Sequence, residues 1–279
     1  MIWLSFSGGS GGGIGEILSC PQKYYLKHIE KWQKKYIPKP LAFGITLHKS
    51  FLQGISFKEQ WSKGKIVDKI QEEEIETPIE NFTDEEAPKE IEMGEKMLDR
   101  LKAENILIKE YEKSIFSDLI DPNTGNEVYK DEIGLVCRED IIEIYNSSED
   151  LSDLKTSSTL WKPDNIQGKH QLQVYRYIEA CSGENTHDTG HYLIITKQKT
   201  PQFQRFSFKM TDDDHFLAYD MFKNAADIVL KCQKENYYPK NPLACEGIYG
   251  QLCPYHPICF PHRYSNPEKV INETLVRRK

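Results

Sequence analysis

Two aspartates and a lysine stand where two strands of this chain should meet. Asp140 closes the run Gly134-Leu-Val-Cys-Arg-Glu-Asp140, and Asp153-Leu-Lys155-Thr follows after Glu143-Ile-Tyr-Asn-Ser-Ser-Glu-Asp150, a segment rich in turn formers. Side chains two apart on a strand share a face, so Asp153 and Lys155 look the same way and Leu154 the other. A hairpin here folds Asp140 back beside Asp153. Adjacent carboxylates repel unless a cation lies between them, so the set describes a divalent-metal site with an ammonium at its rim. Phosphodiester hydrolysis is the chemistry such a group serves. A hard cation such as Mg2+ or Mn2+ acidifies a bound water and offsets charge on the phosphate, while Lys155 orients the water or stabilises the oxyanion. Taken alone, an Asp-x-Lys match is more often a pair of solvated strand ends.

Further residues agree with the chemical reading. Upstream lies Ala42-Phe-Gly44-Ile-Thr-Leu-His48, and downstream Gln171-Leu-Gln-Val-Tyr175, whose glutamine and tyrosine share a helix face. In this order, and over about residues 19–260, the motifs resemble those of the PD-(D/E)XK nuclease superfamily, in particular its RecB-like exonucleases and their CRISPR-associated iron-sulfur relatives. The resemblance implies an α/β fold, the restriction-endonuclease-like core with a mixed central sheet flanked by helices. It implies a metal held by His48, Asp140, Asp153 and the Leu154 carbonyl, with Lys155 as catalytic cation. Gln171 and Tyr175 would hold the site and the DNA.

A second constellation joins the chain ends. Cys20 sits in Leu-Ser-Cys20-Pro-Gln-Lys-Tyr-Tyr, and the C-terminal part reads Cys245-Glu-Gly-Ile-Tyr-Gly-Gln-Leu-Cys253-Pro-Tyr-His-Pro-Ile-Cys259. Four thiolates are the usual set for a 4Fe-4S cluster, and the iron-sulfur relatives use one early and three late cysteines to tie their termini. The seven residues between Cys245 and Cys253 exceed the family's usual two. Zinc is the competing ion, because His256 and His262 lie three residues beyond Cys253 and Cys259. Cys137, Cys181 and Cys232 read as buried, reduced thiols.

The 279 residues suffice for one nuclease domain with one large core. No apolar run approaches the roughly 20 residues that span a bilayer, and Met1-Ile-Trp-Leu-Ser-Phe-Ser lacks a secretory pattern. With an odd cysteine count, these features place the chain in the cytoplasm of a bacterium or a phage-infected host. The net charge of −7 is unevenly spread: Glu72 to Glu95 holds eleven acids against one lysine. Lys23, Lys27, Lys31, Lys34, Lys35 and Lys39 interleave with Tyr24, Tyr25, Trp32 and Tyr36. Lysines meet phosphates and rings stack on unpaired bases, so this segment suits single-stranded DNA as much as it suits an ordinary amphipathic helix.

Spacing predicts helices over residues 17–35, 44–53, 169–180 and 212–233, and strands over 106–119, 191–197 and 202–209. A turn is expected at Asn123-Thr-Gly125-Asn, and residues 57–102 read as a helical, acidic insertion. The glycine-rich stretch 8–15 should be flexible whether native or introduced. No phosphate-binding loop is present, so a helicase or recombination motor would be another chain. The expected activity is a metal-dependent DNA exonuclease. A DNA-binding accessory for recombination or capture, and an endonuclease, remain alternatives.

Overall fold

The structure is a computed structural model that describes residues 1–6, 12–70, 73–184, 186–246 and 252–278. In chain order the strands are β1 (Ile2–Ser5), β2 (Gly12–Gly13), β3 (Trp32–Lys34), β4 (Lys65–Ile70), β5 (Glu73–Pro78), β6 (Leu107–Asp118), β7 (Ile133–Tyr145), β8 (Ser148–Ser157), β9 (Thr189–Thr196), β10 (Phe203–Lys209) and β11 (Leu275–Arg277). The α-helices are α1 (Ile14–Ser19), α2 (Pro21–Tyr24), α3 (Lys39–Gln53), α4 (Phe57–Trp61), α5 (Ala87–Ala103), α6 (Asp164–Gln167), α7 (Gln171–Ser182), α8 (Asp212–Glu235), α9 (His256–Cys259) and α10 (Pro267–Thr274). This is the expected α/β class, a mixed sheet between helical layers.

The sheet runs β10-β9-β8-β7-β1-β2, with β6 also on β7. β7 carries β6 antiparallel along one side; on the other it pairs with β1 at Ile133–Leu135 and with β8 from Ile141 onward. Asn146 and Ser147, both left-handed (φ 49 and 68), make the tight turn between β7 and β8. After Ser152 the strand β8 leaves β7 and runs parallel to β9 through Ser157. Asp140 and Asp153 therefore flank a fork, each one residue from the last β7–β8 pair.

Apolar side chains of both sheet faces are covered. α1, α7 and α8 pack on one face with Leu135, Cys137, Ile142, Leu151 and Tyr192, forming the larger core. α3, α4 and α5 pack on the other with Ile141, Leu154, Leu193 and Ile195. Along β7 the larger core takes Ile133, Leu135 and Cys137 and then Ile142, so the alternation shifts by one near Asp140. Across from that shift, between the pairs Lys113–Glu139 and Tyr111–Ile141, Glu112 adopts a left-handed backbone (φ 51), a strained conformation for a residue with a Cβ.

Several elements differ from expectation. The segment 17–35 is not one helix: Cys20 is extended (φ −160), Pro21 opens α2, a turn of π-helix follows to Ile29, and left-handed Lys31 leads into β3. Proline suits a helix start and not an interior. By the same rule α3 begins at Lys39 around Pro40, five residues before the expected start. The insertion is helical only at its ends, because β4 and β5 form an antiparallel hairpin between α4 and α5. Its acids find cross-strand cations there, as in the 2.7 Å pair of Lys65 with Glu76. Most of the glycine-rich stretch, with Glu72 and the residues from 247 to 251 between Cys245 and Cys253, lies outside the described residues; Gly12 and Gly13 pair with β1 and Ile14 opens α1.

Candidate active site

The fork lets both helical layers reach the same point. α3 approaches β8 closely, since a Cβ on Gly44 would stand 3.3 Å from Thr156 Oγ1. One turn further along α3, His48 Nε2 lies 3.6 Å from Asp140 Oδ2, with side chains 18% and 22% exposed. From the opposite face, α7 starts at Gln171. Gln171 Nε2 donates to Tyr175 Oη at 2.8 Å and to Asp153 Oδ1 at 3.3 Å, and its Oε1 accepts from Lys155 Nζ at 3.1 Å. Lys155 Nζ donates to Asp153 Oδ1 at 2.9 Å and lies 2.7 Å from Oδ2.

Asp153 has no exposed surface. Burial, opposed by the Lys155 ammonium and reinforced by Asp140, holds its carboxyl well above the usual range. Burial also acts to raise Asp140, but hydrogen bonding with Asp153 and His48 and the charges of His48 and Lys155 outweigh it, and Asp140 is held low. The two neighbouring acids are thus shifted in opposite directions, Asp153 toward its neutral form and Asp140 toward its ionised form. Tyr175 is 1% exposed, and its hydroxyl accepts from Gln171 Nε2. Leu154 turns its side chain into the smaller core.

The donor chemistry fits a hard divalent cation. Neighbouring carboxyls suit a hard cation between them, and His48 Nε2 and Asp153 Oδ2 are buried without an aligned hydrogen-bond partner. As the side chains lie, however, no group of three or more His, Cys, Asp or Glu among the described residues is close enough to hold a metal ion. Asp153 is turned onto Lys155.

Cys20, Cys245, Cys253 and Cys259 are free thiols on segments that lie against one another, without any three being close enough, among the described residues, to hold a metal ion. Asn241 Nδ2 donates to Ser19 O at 2.8 Å, Gln22 N to Pro239 O at 3.2 Å, and Lys240 Nζ to Cys259 O at 2.8 Å, which binds the C-terminal segment against Cys20. Burial raises the Cys259 thiol to about 11, opposed by Lys240 and reinforced by Cys253, Cys20 and Cys245. His256 is buried and accepts or donates at Tyr264 Oη (2.9 Å), while His262 is exposed, so the proposed zinc histidines have other surroundings. Cys137 and Cys232 are buried as expected and Cys181 is partly exposed.

Two acids were missed in the sequence. Glu139, beside Asp140, is 1% exposed, with both carboxyl oxygens buried without a hydrogen-bond partner among the described residues, and it lies near the buried Glu179, which binds His187. Burial, then Glu179, raises Glu139 to about 9. The period-two series Ile133, Leu135, Cys137 is the local signal that turns Glu139 toward the core.

Comparison with known proteins places this geometry. The sequence model of the PD-(D/E)XK nuclease superfamily matches residues 13–260. The chain belongs to that superfamily. Among solved structures it is similar to a candidate exonuclease from Eubacterium rectale, with 15% identity, 88% of this chain and 86% of that one covered, and a TM-score of 0.56, a likeness of fold. SSO0001 matches with 16% identity over 77% of this chain and 85% of its own, at a TM-score of 0.33 that carries no argument. No curated protein matches the chain. As a superfamily member it is a nuclease, a hydrolase of the phosphodiester bond. Among the described residues no helix is long and apolar enough to cross a membrane.

Proposed function

We propose that the protein is a metal-dependent deoxyribonuclease that degrades DNA from its ends, acting on unpaired strands. The observation that supports this most is the meeting of His48, Asp140, Asp153 and Lys155 at the β7–β8 fork, with the Lys155 ammonium 2.7 Å from Asp153. His48, Asp140 and Asp153 would hold Mg2+ or Mn2+, with the Leu154 carbonyl as a further ligand. When bound, such an ion supplies an acidified water and neutralises charge on the phosphate.

The chain's own groups do the rest. With an ion held there, Asp153 would be ionised, its charge shared between the ion and the Lys155 ammonium beside it. The ammonium, kept in place by Gln171 Oε1, then faces the attacking water or the developing oxyanion. Tyr175 fixes the amide of Gln171, and so the direction in which the lysine points. Away from the site, Cys20, Cys245, Cys253 and Cys259 would hold a structural 4Fe-4S cluster; the mutual influence of their thiols and the hydrogen bonds joining their segments support that reading. A helicase or recombination motor would act as a separate partner. The test is cleavage of linear single-stranded DNA labelled at either end, by anaerobically purified protein with Mg2+ or Mn2+, beside Lys155→Ala. Progressive loss from one end that vanishes in the variant is expected. Binding with no cleavage by either protein would favour an accessory role, and discrete internal fragments an endonuclease.

A further inference from the structure

We propose that Trp3 and Phe116 form a base-stacking subsite for an unpaired nucleic-acid strand, remote from Asp140 along β7; the proposal rests on the nuclease reading above and extends it. Leu4, Ile115, Ile133 and Leu135 belong to the larger core. Trp3, Phe116, Gly134 and Arg138, each one residue out of phase with these, therefore lie on the opposite face of the sheet. That is the face on which α3 packs and from which His48 reaches Asp140.

The ring of Trp3 lies directly on Gly134, where a Cβ would stand 2.6 Å from it. The glycine of the Gly134-to-Asp140 motif is thus the seat of an aromatic ring. Phe116 meets Trp3 edge-on, with centroids 5.3 Å apart and planes at 83°. Both rings are held in place yet stay 38% and 57% exposed. Fixed, solvent-facing rings offer stacking area at little entropic cost.

Charge around the rings selects the occupant. Arg138 is exposed between them and Asp140. Trp3 also lines a cleft of about 950 Å3 with Lys23, Lys31, Lys34 and Tyr36, in which Lys27 is paired with Glu16 at 2.8 Å. Planar groups spaced along a polyanion satisfy both features, which is the chemistry of single-stranded nucleic acid. Gly134 and Asp140 are six positions apart, about 20 Å of strand. Only an oligonucleotide of several residues can fill the fork and the rings together.

The experiment is fluorescence anisotropy in EDTA, where no cleavage occurs, with labelled oligothymidylates of about 4 and about 16 nucleotides. Trp3→Ala and Phe116→Ala should each weaken the longer strand by about five- to a hundredfold, since stacking contributes about 1–3 kcal/mol per base. They should leave the short strand and a long abasic strand unchanged, and Trp3→Phe should keep most of the affinity. Phe116 is more than half exposed, so its truncation leaves no buried void. Equal binding of the long strand by wild type and both alanine variants would overturn the subsite, and would leave the nuclease reading intact if Mg2+ still gave cleavage. Equal losses on short, long and abasic strands would also overturn it, because the rings would then act through the fold. A length-dependent loss in a protein that cleaves nothing would support the subsite and count against the nuclease.

Discussion

A carboxyl group without exposed surface, with one ammonium and one carboxylate for neighbours, must hold a proton or share a cation. For Asp153 this makes cation affinity depend on pH. Its carboxyl is held high, so Mn2+ affinity should rise with pH, with proton release on binding; calorimetry in two buffers of different ionisation enthalpy reads this, and no release would mean Asp153 is already ionised. Replacing Lys155 by Ala should lower cleavage about 10²- to 10⁴-fold. Tyr175→Phe, which removes one hydrogen bond to Gln171, should cost about fivefold. Single-turnover rates compare the two. Glu139 tests the other buried acid. Its folded pKa of about 9 lies above the unfolded value of 4.5, so its contribution to stability is full below pH 4.5 and lost as pH rises through 9. In metal-free protein Glu139→Gln should therefore be more stable than wild type at pH 8 by about a few kcal/mol, with the difference shrinking toward pH 5 in parallel denaturant titrations. A constant difference would show that Glu139 does not titrate with folding.

At the scale of elements, the site depends on how closely α3 lies on β8. Gly44 has 3.3 Å to Thr156 where a Cβ would stand, so Gly44→Val should lift the helix and carry His48 away from Asp140. Cleavage is expected to need about tenfold more Mn2+, because a displaced ligand weakens a metal site by about 10- to 100-fold; an unchanged Mn2+ dependence would mean that the helix is not held by this contact. Elements with strong local signals were readable from the chain. The turn at Asn146-Ser147, the three aspartates in the first turn of α8 and the Gln171-to-Tyr175 face all rest on short-range chemistry. The hairpin β4–β5 was not readable, because a charge-rich stretch fits a solvated helix as well as a hairpin, and the choice falls to pairing such as Lys65 with Glu76.

For the whole molecule, β3 and β11 pair antiparallel and the cysteine-bearing segments meet near Cys20, so the two termini close on each other. If a cluster holds them, Cys259→Ser should lower iron content, visible absorbance and thermal midpoint together, and full iron retention in that variant would count against the cluster. The sequence by itself determined the membership: the motifs around His48, Asp140, Asp153, Lys155 and Gln171 name residue types that must meet, since a phosphodiester site needs those groups whatever surrounds them. Tertiary structure decided who stands behind them. Tyr175 lies behind Gln171 because its helix is buried, Glu139, in phase with Ile133, Leu135 and Cys137, meets Glu179 because α7 packs on that face, and Gly134 carries Trp3 because β1 lies beside it. Each of these depends on contacts between segments far apart in the chain, where local spacing carries no information.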